Sequence, residues 1–156
     1  MKNEMTIPNA GPTCSIERTL QIVGERWTFL ILRESLLARL TKFGDFQSAL
    51  GIAPNILTDR LNTLVAAGLL EKQMYREIGD RQRASYHPTQ AGEQLKIVLA
   101  ALQQWGDDNI PPATGVTIVR RTNSTKRPLR VGFIDDRNRT HELDDVAFIP
   151  SASLAS

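Results

Sequence analysis

Apolar residues recur along this chain first at helical spacing and then at strand spacing. Ile16, Leu20 and Val23 predict a helix over residues 15–23, closed by Gly24 in a left-handed cap. Residues 27–37 are apolar on most sides, with Leu30, Ile31, Leu32, Leu36 and Leu37, as expected of a helix at the centre of a small domain. Thr41 is placed to cap a third helix whose Phe43, Phe46 and Leu50 share one stripe, and Gly51 with Ile52 breaks the period as a tight turn. A fourth helix follows at once. Pro54 suits its first turn, where its missing N–H would have had no helical partner, and Gly68 should close it just after Ala67.

Beyond Gly68 the pattern changes. Leu70, Met74 and Ile78 set against Glu71, Gln73 and Glu77 predict a strand over residues 69–78, Gly79-Asp80 a turn, and residues 84–87 a returning strand. Thr89 is then placed to cap one long helix in which Ala91, Leu95, Val98, Leu102 and Trp105 alternate four and three residues apart, the spacing of a coiled-coil seam that wants a partner. Pro111-Pro112 ends it. Short strands are expected at residues 116–119, 129–134 and 146–149, with a frayed tail at 151–156. The organisation read from this pattern is a flexible arm over residues 1–13, a helical domain with a ribbon over 14–110, and an appendage over 111–156.

Three helices, a two-stranded ribbon and a closing helix spell a fold that is mainly α with a small β wing, a winged helix-turn-helix, here with a short C-terminal β appendage. In that fold the second helix of the motif lies in the major groove, so it needs one packing face and one reading face. At about 100° per residue, Leu57, Leu61, Leu64 and Val65 fall on one arc, and Asn55, Asp59 and Asn62, flanked by Thr58, on the other. An Asn amide matches an adenine edge, Thr offers a hydroxyl and a methyl, and Asp59 would accept from a cytosine amine. Ile56 lies off the packing arc and is read as peripheral core. Lys72, Arg76, Arg81 and Arg83 on the ribbon, with Lys42 and Pro54 at the starts of the two motif helices, complete the candidate DNA contacts. Arg33 and Arg39 also surround the third helix, Arg33 being placed to pair within the core helix.

Charge and composition add limits. A formal net charge of +2 over 156 residues permits contact with a polyanion without demanding it, so local clustering carries that argument. Cys14 is the single cysteine, which excludes an internal disulfide framework and a cysteine-based zinc cluster within one chain, and suits a reducing compartment. The polar first residues lack the layout of a signal peptide and no stretch is apolar enough to span a bilayer, so a cytoplasmic protein without membrane contact is expected. No GxSxG, HExxH or phosphate-loop pattern appears, so neither an enzyme nor a bound cofactor is expected. Cys14 stands at a helix N-terminus with Arg18 four residues on, a setting that favours thiolate, so a redox or electrophile sensor is one reading and a small packed residue the other.

The stretches CSIERTLQIVGERWTFLILRE (residues 14–34), FGDFQSALGIAPNILTDRL (43–61), AAGLLEK (66–72) and TQAG (89–92) resemble HxlR-type regulators, winged-helix proteins related to the MarR group. The resemblance covers residues 14–108 and implies a homodimer joined by its terminal helices, binding a two-fold symmetric operator in double-stranded DNA, as a repressor. It also places Cys14 at the position of the thiol sensor of several members. Pro88 stands where the family has an apolar strand residue, which predicts a shortened second wing strand. Some relatives carry paired cysteines in a C-terminal segment; here that region has none, so a metal there is not expected, and its Arg120, Arg121, Lys126, Arg127 and Arg130 form a basic run that is ordinarily just solvated.

The expected device is therefore a dimer held through Ile16, Leu20, Leu95, Val98, Leu102 and Trp105, with an oxidant or a small molecule as effector. Two rivals belong to other classes. One is a winged helix used as a protein-interaction module, since fold alone does not decide function. The other is a thiol-dependent redox enzyme using Cys14, for which no base or resolving cysteine stands nearby in sequence.

Overall fold

The computed structural model describes residues 14–151. The chain forms two units that divide within its last helix, between Leu99 and Ala100. The first holds α1 (Ser15–Val23), α2 (Arg26–Leu36), α3 (Phe43–Leu50), α4 (Pro54–Ala66), β1 (Leu70–Tyr75), β2 (Arg83–Pro88) and α5 (Gln90–Gln94); α6 (Lys96–Asn109) begins in it.

The apolar stripes of α2, α3 and α4 meet in one core. Ile31, Leu32, Phe46, Leu57, Leu61 and Leu64 lose all solvent contact, and Val23, Leu36 and Leu70 nearly all. Burial of a Leu or Phe side chain stabilises by roughly 1.5–3 kcal/mol, so these side chains are the main source of the fold's stability. The Glu25 carboxylate caps α2, accepting from the N–H groups of Trp27 at 2.9 Å and Thr28 at 3.3 Å. Gly51 takes φ +61° at the end of α3, the left-handed turn that joins the two motif helices.

Gly24 does not adopt the expected left-handed cap. It stays right-handed at φ −69°, and its lack of a side chain serves packing instead, because a Cβ there would lie 2.4 Å from the Leu20 carbonyl oxygen. Thr41 does not cap α3 either. Its carbonyl accepts from the Tyr86 N–H at 2.8 Å, and Lys42 pairs with Ser85 in an antiparallel bridge, so the cap position moves on to Lys42. The chain entering α3 thereby adds a rung to the wing.

The wing pairs β1 with β2 antiparallel, from Leu70 opposite Pro88 to Tyr75 opposite Arg83. Pro88 therefore does not shorten the second strand. The Thr89 N–H reaches the Leu69 carbonyl at 3.1 Å, and since hydrogen-bonded pairs alternate along an antiparallel ladder, Pro88 occupies a position that requires no N–H. Met74 and Ile78, expected on the strand's apolar face, are exposed, and the strand ends at Tyr75.

The single long helix expected after Thr89 is two. Thr89 does cap its start, accepting from the Gly92 N–H at 3.1 Å, but the Leu95 N–H bonds to Gly92 three residues back, and the ladder resumes as α6. The Thr89 hydroxyl also donates to the Gly68 carbonyl at 2.6 Å, and a Cβ on Gly92 would lie 2.1 Å from the Leu69 oxygen. Short α5 is thus held tightly against the junction of α4 and β1.

In the second unit the appendage is tied to the C-terminal half of α6 by side chains. Gln104 both donates to the Val131 carbonyl and accepts from the Val131 N–H, each at 2.9 Å, and Gln103 donates to the Ile118 carbonyl at 2.8 Å. Residues 116–119 and 146–149 are extended without strand partners, contrary to the expected strands. Only β3 (Phe133–Ile134) and β4 (Thr140–His141) pair, and a single 3-10 turn follows at Leu143–Asp145. Helix glutamines satisfy backbone groups there that a sheet would otherwise have taken.

Candidate nucleic-acid interface

α4 presents the two faces that its sequence requires. Leu57, Leu61 and Leu64 are buried, while Asn55, Thr58, Asp59 and Asn62 are exposed on the other side, with Pro54 exposed at the first turn. Thr58 turns its hydroxyl to the Pro54 carbonyl at 2.9 Å, which leaves its methyl as the outward group. Ile56 is half-buried against the core. The helix is also braced from behind: Arg60 lies 3.5 Å from the Glu25 carboxylate that caps α2. Neither Arg60 nor Glu25 carried a signal in the sequence, because their pairing spans two helices.

The basic residues divide into engaged and free. Lys42 reaches Glu77 of the wing at 2.7 Å and lies 5.3 Å from the centre of the Tyr75 ring. The hydrogen bond to Glu77 and that residue's charge hold the Lys42 proton above the ordinary lysine range, and the same bond lowers the Glu77 carboxyl. Arg83 pairs with Asp80 at 2.6 Å, and Arg76 donates to the Asp80 carbonyl at 2.9 Å. Lys72 and Arg81 are exposed and make no side-chain ion pair among the described residues. Arg33 pairs with its neighbour Glu34, and Arg39 with Glu93 of α5, where Lys96 and then Arg39 lower the carboxyl. In the appendage, Arg120 meets Asp107 at 3.5 Å and Arg130 meets Asp108 at 3.0 Å, so two charges of the basic run are offset locally.

Cys14 is half-buried at the start of α1, and its side chain makes no capping bond. The Arg18 guanidinium donates to the Ser15 hydroxyl at 2.9 Å. Ile16 and Leu20 of α1 are exposed, as are Val98, Leu102 and Trp105 of α6, joined by Ile97, which the seam pattern did not include. Leu95 departs from that set: it packs against the core of the first unit.

Helix-turn-helix, wing and an outward polar face on α4 together define a transcriptional regulator of the winged helix-turn-helix class. The chain belongs to the HxlR-like helix-turn-helix family, whose model matches residues 22–114. It is 40% identical over 107 residues to Rv3095, an uncharacterised HTH-type transcriptional regulator of Mycobacterium tuberculosis strain H37Rv, covering 69% of this chain and 66% of the relative. The match therefore spans just under two thirds of that relative's length. Among solved structures, PA1607, a candidate transcription factor, superposes with a TM-score of 0.76 at 27% identity over 90% of this chain and 96% of its own. PA1374 of Pseudomonas aeruginosa, likewise a candidate transcription factor, gives 0.62 at 37% identity over 88% and 92%. Among the described residues, no helix is long and apolar enough to cross a membrane.

Proposed function

We propose that this regulator acts as a homodimer that binds a two-fold symmetric operator and represses transcription. Asn55, Thr58, Asp59 and Asn62 choose the sequence, and Lys42, Pro54, Lys72, Arg76, Arg81 and Arg83 seat the phosphates. The observation that carries this reading is the exposed polar face of α4 opposite three fully buried leucines. Four residues able to address base edges stand on a helix whose other side is anchored. Two such helices related by a dyad would enter successive major grooves about 34–36 Å apart. Residues 14–110 form the DNA-binding and dimerising part, with 1–13 as an arm outside the described residues and 111–156 as an appendage.

The dimer is formed by α1 and α6. Exposed Ile16, Leu20, Val98, Leu102 and Trp105 support it, since large apolar side chains gathered on a surface mark an interaction site. Sedimentation of the full chain should give a dimer, and Leu102→Glu or Trp105→Glu a monomer with weakened operator binding. Selection of bound sequences from random DNA should return a palindrome, and the logarithm of affinity should fall linearly with the logarithm of salt. Recovery of no preferred sequence, with affinity flat in salt, removes the reading in favour of a protein-interaction module.

Cys14 serves as the sensing thiol, modified by an oxidant or electrophile so that the dimer releases DNA. Its half-exposed place at the start of α1, beside the proposed dimer residues Ile16 and Leu20, supports this. If oxidant releases Cys14→Ser from DNA as readily as the natural protein, the switch lies elsewhere.

A further inference from the structure

The cleft where the start of α3 faces the wing carries chemistry that base reading does not use. It has a volume of about 550 Å³, within the range of small-molecule sites. Its walls carry three cations, Lys42, Arg81 and Arg83, and three aromatic rings, Phe43, Tyr75 and Tyr86. Asp45 stands among them as one acceptor. Tyr86 is only 6% exposed, yet its hydroxyl has no hydrogen-bond partner among the described residues. A phenol buried without a partner is costly unless something else completes it. Burial pushes its ionisation above the ordinary phenol range, so it remains a neutral donor and acceptor.

Charge alone would suit a phosphate of DNA. Three aromatic faces and a buried, uncompleted phenol would be idle in such a contact, because a phosphate offers no flat apolar body. A ligand with one anionic end and one flat ring uses both halves of the wall. Among the cations, Arg83 is held by Asp80 and Lys42 by Glu77, while Arg81 makes no ion pair among the described residues and is the first available to a carboxylate.

We propose that this cleft binds a small aromatic carboxylate, with Arg81 and Lys42 on the carboxylate, the ring among Phe43, Tyr75 and Tyr86, and a polar substituent completing the Tyr86 hydroxyl. The regulatory consequence rests on the DNA-binding reading above. Lys42, Arg81 and Arg83 are also the proposed phosphate contacts, so ligand and operator exclude one another, and each weakens the other by the same factor.

The test is calorimetric titration of the full chain, without DNA, by para-hydroxybenzoate, its neutral analogue para-hydroxybenzyl alcohol, and inorganic phosphate. Saturable binding of para-hydroxybenzoate alone is expected, with a dissociation constant below about 1 mM. Arg81→Gln should weaken it about tenfold, through loss of a charged hydrogen-bond partner, and Tyr86→Phe, which keeps the ring in the core, about threefold. No binding up to about 10 mM, equal binding of the alcohol, or indifference to both substitutions overturns the proposal. Phosphate bound in place of para-hydroxybenzoate also overturns it and marks the cleft as a seat for the DNA backbone. A second arm adds para-hydroxybenzoate to the selected operator complex: released DNA supports the regulatory role, and unchanged affinity with the calorimetric binding intact overturns that role alone. Calorimetric binding by a chain that selects no DNA leaves the cleft standing and sinks the DNA-binding reading instead.

Discussion

The ammonium of Lys42, at the threshold of α3, lies 2.7 Å from the carboxylate of Glu77 in the wing, across 35 residues of chain. One of the two best-placed cations of the motif is thus held by an internal anion in the free protein, and DNA must compete for it. Glu77→Gln should raise operator affinity with little change in melting temperature, because the pair is solvent-exposed. Lys42→Ala should lower affinity equally for all sequences and reduce the salt slope by about 0.9. A gel-shift series at several salt concentrations reads both. The pair also sets a pH dependence: since Glu77 is lowered in the folded protein, the contact is present above the ordinary glutamate range and is lost as pH falls through its folded value.

Substitutions on the reading face should separate specificity from affinity. Asn55→Ala and Asn62→Ala should each cost about 1–3 kcal/mol on the selected operator and little on random DNA, with the salt slope unchanged. Equal losses on both kinds of DNA would show that these amides touch backbone and not bases.

Gly92→Ala should destabilise the first unit by about 2–4 kcal/mol, an overpacking cost at the upper end of the usual range. The added carbon would lie 2.1 Å from the Leu69 carbonyl oxygen, a main-chain atom that cannot turn aside. Chemical denaturation followed by circular dichroism measures the loss. Gly106→Ala, where a Cβ meets nothing within 4 Å, is the matched control and should be neutral or slightly stabilising.

In the appendage, His141 lies between two carboxylates, with Nδ1 at 2.6 Å from Asp145 and Nε2 at 3.1 Å from Asp135. The Asp145 bond first, then that to Asp135, raises His141 above its ordinary value of 6.5. Its contribution is therefore fully present below that value and is lost as pH rises through the higher, folded one. The hydrogen bond from the Arg139 backbone first, then that from His141, lowers Asp135, so an acid limb lies below the ordinary aspartate range. Amide exchange across residues 133–146 should quicken as pH rises past the folded value beyond the intrinsic increase. His141→Gln should abolish that excess.

Much of the motif was legible because it is local. The register of α4, its buried and exposed faces, the Gly51 turn and the Pro54 start all follow from residues within a turn or two of each other, where periodicity and backbone preference act directly. The same reasoning failed at Gly24 and at Leu95. In the first, a carbonyl 2.4 Å from the missing Cβ, not a left-handed turn, explains the glycine; in the second, a helix held against Leu69 and Gly68 gave up one step of its ladder.

What the amino-acid order determined by itself is the set of surfaces: a helix able to pack on one side and read on the other, a basic ribbon, and apolar residues left over for a partner. What only the tertiary structure decided is which charges remain available. Lys42 meets Glu77, Arg39 meets Glu93 across 54 residues, and Arg83 meets Asp80, while Arg81 keeps an unpaired side chain facing an aromatic cleft. Coulomb attraction and desolvation depend on distance in space, and distances across elements are not written in the period of any one of them.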